Sequence, residues 1–114
     1  MNANKLTQKS MEAVQAAYDS AVTHHNTQVQ QEHLLAALLS QPEGLIASLL
    51  SGIGADPAAM NRALSQAIES LPVMSGGTTA ENTYLSRELD VVLTEAEKRA
   101  AKMGDAYVSV EHLF

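Results

Sequence analysis

The side chains best suited to chemistry in this chain are four histidines and thirteen carboxylates. A metal centre would need three or four convergent ligands. His24 and His25 are adjacent, so on a helix they point in different directions. No His-Glu-x-x-His spacing is present. His33 and His112 each sit in a Glu-His-Leu step, which a structural role explains. The chain has no cysteine, which excludes disulfides, thiolate metal sites and cysteine nucleophiles. Nucleophilic catalysis by serine has no Gly-x-Ser-x-Gly elbow to rest on. Ser75-Gly76-Gly77-Thr78-Thr79 looks superficially like a phosphate loop, but it lacks the Gly-Lys-Ser/Thr ending and any strand before it. Glu88/Asp90 and Glu95/Glu97 read as solvated helix faces, with Arg99 four residues from Glu95 and able to pair with it. Catalytic and metal chemistry therefore find no support, and no cofactor is expected for this chain. What remains is recognition. Stacked helical units leave aliphatic grooves, which suit extended or partly unfolded polypeptide without a sharp sequence code.

Composition sets the frame for those residues. A chain of 114 residues allows one small domain. The net charge of −6 argues against nucleic acid and anionic membrane, which select for clustered Lys and Arg. Apolar residues make up 46 % of the chain and aromatics only 4 %, so the core must be aliphatic and Ala-rich. Met1–Lys5 is polar and lacks the apolar region of a signal peptide. No apolar run approaches the roughly 20 residues that span a bilayer. The expected class is a soluble, acidic, cytoplasmic domain.

Helical spacing runs almost throughout. Thr7 is a good N-cap, and Met11, Val14, Tyr18 and Val22 then recur on one face of a first helix, ending near His24-His25-Asn26. Gln30 or Gln31 opens a second helix with a wide stripe of Leu34, Leu35, Leu38 and Leu39, as expected of a helix with neighbours on two sides. Gln41-Pro42-Glu43-Gly44 breaks the run. A short third helix carries Leu45, Ile46, Leu49 and Leu50, with left-handed conformations expected at Gly52 and Gly54. Asp56-Pro57 reads as N-cap and first helical position of a fourth helix, striped by Met60, Leu64, Ile68 and Leu71 and ended by Pro72. Residues 73–82 read as a linker with adjacent glycines. Ser86 caps a fifth helix with Leu89, Val92 or Leu93, Ala96, Ala100 and Met103 inward, and Gly104 stops it. Ser109 caps the start of a sixth. No useful strand alternation appears; Ala106-Tyr107-Val108 is the weak candidate.

The chain repeats itself at an offset of 79, which carries Leu6-Thr7 onto Leu85-Ser86 and Glu32-His33-Leu34 onto Glu111-His112-Leu113. The same offset maps Val14 onto Leu93, Ala17 onto Ala96, Ala21 onto Ala100 and Val29 onto Val108. One helical unit is used twice: a long capped helix, a short turn, and a second helix entered through Glu-His-Leu. The Glu lies in the first turn, where a carboxylate meets free N–H groups and the positive dipole end. The His packs its ring against the core while one ring nitrogen bonds a backbone group. Gln30 is a poor cap and Ser109 a good one, so the first copy's second helix should start less sharply.

Three segments carry a family resemblance: Leu6-Thr7-x-Lys9-Ser10-x-Glu12-Ala13, Glu32-His33-Leu34-Leu35-x-Ala37-Leu38-Leu39 and Leu71-Pro72-Val73-x-Ser75-Gly76. They resemble the N-terminal domain of Clp-family AAA+ unfoldases. Gly104-Asp105-x-Tyr107-Val108-Ser109-Val110-Glu111-His112-Leu113 resembles that domain's second repeat. The Leu-Pro-Val-x-Ser-Gly linker is most similar to the ClpB-type disaggregase. Gln30-Gln31 departs from the usual Thr-Pro or Ser-Val-like entry, and Phe114 from the usual Leu. The resemblance implies an all-α bundle of two pseudo-repeated helical units: 6–72, a linker 73–84, and 85–114 as an incomplete, truncated second repeat. It implies a mobile module of a homohexameric ATPase that engages unfolded or aggregated protein in the stress response. ATP and magnesium would belong to rings outside this chain, since no Walker motif is present. The alternative it leaves is an adaptor-docking or ring-regulating domain of another Clp ATPase, of protease-partner or secretion type. Substrate contact would fall on Thr7, Asp105 and Glu111 at the helix entries, where Thr7 and Asp105 also read as an N-cap and the residue after a helix stop, with Leu93 and His112 as groove-wall or core residues. Because the repeat offset places the second unit's end near residue 151, exposed apolar surface is expected on the fifth helix around Leu89 and Leu93.

Overall fold

A computed structural model describes residues 6–41, 45–73, 83–105 and 107–113. The Pro42-Glu43-Gly44 break, linker residues 74–82 with Met74, Ala106 and Phe114 lie outside the described residues, as do the side chains of Val110 and Glu111. In chain order the elements are α1 (Gln8–Thr23), β1 (Gln28–Val29), α2 (Gln31–Ser40), α3 (Leu45–Gly52), α4 (Pro57–Glu69), β2 (Tyr84–Leu85), α5 (Arg87–Lys102) and α6 (Val110–Leu113). The architecture is all-α, with two-residue strands serving only as ties.

Side-chain caps open three of the six described helices. Thr7 Oγ1 accepts the N–H of Ser10 at 3.2 Å, Asp56 Oδ1 that of Ala58 at 3.0 Å, and Ser86 Oγ that of Leu89 at 3.0 Å. Pro57 follows Asp56 at the first helical position, where its missing N–H costs nothing. Both long helices end through a left-handed residue, His25 with φ 57° and Gly104 with φ 77°. In each case the next N–H returns to the last turn: Asn26 to Ala21 O and Asp105 to Ala100 O, both at 2.9 Å. His25 and Gly104 are themselves 79 residues apart. Gly54 is left-handed (φ 85°), whereas Gly52 stays within α3 without a positive φ.

The core joins Ala13, Ala17 and Ala21 of α1, Leu34 and Leu38 of α2, Ile46 and Leu50 of α3, and Leu89, Leu93, Ala96 and Ala100 of α5, with Val29, Val108 and Leu113. Several sequence expectations are corrected here. The buried face of α1 is the alanine stripe; Val14 and Tyr18 pack at its margin and Met11 is 47 % exposed. Small side chains let α2, β1 and α6 come close to α1, and a methionine on that line would hold them apart. Met103 is 67 % exposed because it is the C-cap of α5, already turning away from the helix face that continues from Ala100. Leu89 and Leu93 are not exposed: α2 and α6 pack on α5, leaving these residues 2 % and 3 % accessible. On α3, Leu45 and Leu49 face outward while Ile46 and Leu50 face in. Glu95 meets Lys98, not the residue four positions on, at 3.5 Å.

The two halves are tied by a reciprocal exchange. Val29 and Gln28 pair in parallel with Leu85 and Tyr84, and Leu6 bridges Val108, also in parallel. Thr7 N–H donates to Val108 O at 3.0 Å, and Ser86 N–H donates to Val29 O at 2.9 Å. Each capping residue thus bonds the valine that precedes the other half's Glu-His-Leu helix. Ser10 Oγ adds a second donor to Val108 O at 2.9 Å.

Candidate functional site, an apolar groove beside two histidine corners

An open groove of about 300 Å³ runs between α2, α4 and the facing ends of α5 and α6. Leu34, Leu35, Leu38, Leu64, Val92 and Leu113 supply aliphatic surface, and Gln31 and Glu32 add polarity from the first turn of α2. The wide leucine stripe of α2 explains its existence. Leu34 and Leu38 reach the core, while Leu35 is only partly buried and turns into the groove. Among the described residues, the lining offers dispersion and apolar burial, with the Gln31 amide and the Glu32 carboxylate at the rim. The arrangement can hold aliphatic or aromatic side chains of an extended chain.

The Glu-His-Leu steps frame this groove by setting how α2 and α6 start. Gln30 makes no side-chain cap to its helix; its own N–H donates to His33 Nδ1 at 2.8 Å. Ser109 N–H donates likewise to His112 Nδ1 at 2.9 Å, with Ser109 Oγ 3.1 Å from the same nitrogen. A histidine at the third helical position here does what Glu or Gln does in a capping box. This corrects the reading of Ser109 as a simple hydroxyl cap, because its hydroxyl is engaged with the ring. With Nδ1 accepting, the proton sits on Nε2. His33 Nε2–H donates to Asn26 Oδ1 at 2.9 Å, and His112 Nε2–H to Asp105 Oδ2 at 2.9 Å. Asn26 and Asp105 are again 79 residues apart. The imidazole of His33 is fully buried, and burial followed by the nearby His24 lowers its pKa from 6.5 to about 4.

The residues named from sequence are dispersed. Thr7 caps α1, and its N–H is taken by Val108 O. Leu93 lies in the core. Asp105 and His112 are brought together, with His112 buried and Asp105 half-exposed beside a second cleft lined by Thr94, Glu97 and Tyr107. Glu111 lies in α6. Thr7, Leu93, Asp105 and His112 do not line the α2–α4–α5 groove, although Leu113, next to His112, does. Gln31, Leu64 and Val92 were not singled out for it, since nothing in a single helix's spacing shows which of its neighbours stands open. Asn26 was missed as well; its only signal was falling 79 residues before Asp105.

Among the described residues, no group of three or more His, Asp or Glu could hold a metal ion, and no single helix is long and apolar enough to cross a membrane.

Comparison with known proteins agrees with this geometry. The family model of the Clp repeat (R) N-terminal domain matches residues 5–114. Chaperone protein ClpB of Propionibacterium freudenreichii is 46 % identical over 113 residues, covering 99 % of this chain and 13 % of that protein. Chaperone protein ClpB of Nitratidesulfovibrio vulgaris is 37 % identical over 115 residues, covering all of this chain and again 13 % of the relative. The chain therefore spans about an eighth of the length of these curated relatives. Among solved structures, the Hsp104 N-terminal domain from Candida albicans superposes with a TM-score of 0.85 at 21 % identity, covering 96 % of this chain and 70 % of that one. The N-terminal domain of the ClpV1 ATPase from E. coli gives 0.84 at 23 % identity, covering 96 % and 65 %. At such identities the two structures speak for the fold. With the family model spanning residues 5–114 and ClpB chaperones aligning along the same length, the chain belongs to the Clp repeat N-terminal domain family.

Proposed function

We propose that this chain is the substrate-engaging domain of a ClpB-type AAA+ disaggregase and that its α2–α4–α5 groove takes apolar segments of unfolded or aggregated polypeptide. The observation that carries the reading is the groove itself: aliphatic side chains from four helices line an open surface in a fold whose buried side-chain polar atoms, among the described residues, all have hydrogen-bond partners. Exposed contiguous apolar surface of this kind marks interaction sites more often than chance. The relatives named ClpB supply the chaperone context. In this reading residues 6–72 and 85–114 are the two repeat units and 73–84 joins them. ATP hydrolysis, magnesium binding and hexamer formation belong to rings of the parent protein, which works in the cytoplasm. Thr7, Asp105 and Glu111, at the helix entries, would add polar contacts to the substrate.

The test is a titration of the chain with a permanently unfolded model polypeptide, followed by backbone and methyl NMR shifts. Shifts confined to Leu34, Leu35, Leu38, Leu64, Val92 and Leu113 are expected. Absence of localised shifts at millimolar polypeptide would overturn the groove reading.

A further inference from the structure

We infer that Asn26 is a positioning residue that sets the separation of the groove's two walls, α2 and α4. The inference rests on the groove reading above. Asn26 is buried and uses its side chain in two directions. Its Oδ1 accepts from His33 Nε2, and its Nδ2 donates to Pro72 O at 3.1 Å. His33 belongs to α2, between the groove residues Glu32 and Leu34. Pro72 follows the C-terminal turn of α4, whose Leu64 forms the opposite wall. A backbone bridge between Asn26 and Val73 holds the same exit. One amide therefore ties the start of one wall to the end of the other across 46 residues of sequence.

The amide is required for this, and the second half of the chain shows why. Asp105 stands at the equivalent position and accepts from His112 at the same 2.9 Å, so a carboxylate serves the histidine equally well. A carboxylate has no N–H, however, and could not donate to a carbonyl. The two corners differ in burial, with Asn26 2 % and the Asp105 side chain 47 % exposed, and in the donor that only the amide carries. That donor is the side facing the exit of α4. Among the described residues, the packing partners of α4 are chiefly α2 and α3, so the tie acts at the end of a helix that already packs along α2. Without it the exit of α4 is held by the Asn26–Val73 bridge and by packing on α2, and the separation of the two walls is less sharply fixed.

The test uses Asn26→Asp, which keeps the acceptor for His33 and removes the donor to Pro72. Because the chain has no cysteine, Ser40→Cys on α2 and Glu69→Cys on α4 take spin labels at two chosen points only. Pulsed electron spin resonance should show a longer or broader α2–α4 distance in Asn26→Asp than in the parent. Fluorescence polarisation with two labelled peptides, one leucine-rich and one with tryptophan at the same positions, should show the leucine peptide weakened relative to the tryptophan peptide. The expected change in that ratio is roughly five- to tenfold, the weight of one net hydrogen bond. An unchanged distance, or both affinities falling by one common factor, would reduce Asn26 to a residue that merely stabilises the fold. Should Asn26→Asp fail to fold, the labelled chain with Asn26 in place still decides. Tryptophan peptide must then lengthen the same label distance and shift the Asn26 side-chain amide signals more than leucine peptide does; equal responses overturn the inference. If the parent binds neither peptide, the groove reading itself is wrong, and the distance measurement alone reports on the tie.

Discussion

Lowering the pH from 8 to 5 is expected to destabilise this fold through one buried imidazole. His33 is inaccessible to solvent, and its pKa falls from 6.5 to about 4 on burial, with the charge of His24 as the lesser cause. Its hydrogen bonds point the same way, since a proton on Nδ1 would face the N–H of Gln30 that this nitrogen now accepts. The unfolded chain binds a proton that the folded chain refuses. The contribution is therefore complete above pH 6.5 and is lost as the pH falls toward 4. Taking the two values at pH 5, the difference in proton binding amounts to about 2 kcal/mol. In a domain of this size that is a fall in Tm of about 10 °C. Thermal and urea unfolding followed by far-UV circular dichroism at pH 8, 6 and 5 measures it. His33→Gln is the control. Glutamine at the third helical position can still reach back to the N–H of the cap residue, but it does not titrate. It should cost about 1–2 kcal/mol at pH 8, because Asn26 Oδ1 loses its donor. Its stability should then change far less between pH 8 and pH 5 than that of the parent. His24, His25 and His112 are common to both proteins and cancel in the comparison. Equal losses in parent and variant would refute the assignment of acid sensitivity to His33.

The helix ends offer a paired test. Gly104→Ala is expected to cost about 1 kcal/mol from backbone conformation alone, since no heavy atom lies within 4 Å of the added Cβ. His25→Gly, at the equivalent left-handed position, should stabilise by a few tenths to about 1 kcal/mol; both are read from urea midpoints, and changes of the opposite sign would undo the reasoning. Ser86→Ala should destabilise by about 1–2 kcal/mol, because the Leu89 N–H that Ser86 Oγ caps is left in a buried place, and hydrogen exchange should accelerate first in the opening turn of α5. Leu38→Ala removes one of the largest fully buried side chains and should cost about 2–5 kcal/mol in chemical denaturation. Met103→Ala, at an exposed helix end, should stay within about 0.5 kcal/mol of the parent in the same assay.

Local chemistry was legible from the residues alone. Thr7, Asp56 and Ser86 cap helices because a short side-chain oxygen reaches free N–H groups at a helix start, and that depends on a few neighbouring residues only. The stop at Gly104 and the Glu-His-Leu entries are local in the same sense. The offset of 79 could be counted without coordinates, and with it the doubling of the helical unit. The groove was half-visible: the α2 stripe was too wide for one neighbour, but which leucine would stand open depended on where α4 and α5 came to rest.

Contacts between distant segments decided the rest. Met11 and Val14 lie close to Ala13 and Ala17 on α1, and spacing does not choose between neighbouring faces; close packing of α2 against the alanines does. Leu89 and Leu93 were expected to be exposed, and they are buried because α6 of their own half and α2 of the other both pack on α5. The exchange between Thr7 and Val108, and between Ser86 and Val29, uses single backbone groups. Strands of two residues show no period, so no side-chain pattern announces them. The sequence by itself determined the helices, their caps and their repetition, because those interactions close within one or two turns. Only the tertiary structure decided how the two halves trade their ties and how far apart the groove walls stand, because those bonds join residues tens of positions apart and leave no mark on local spacing.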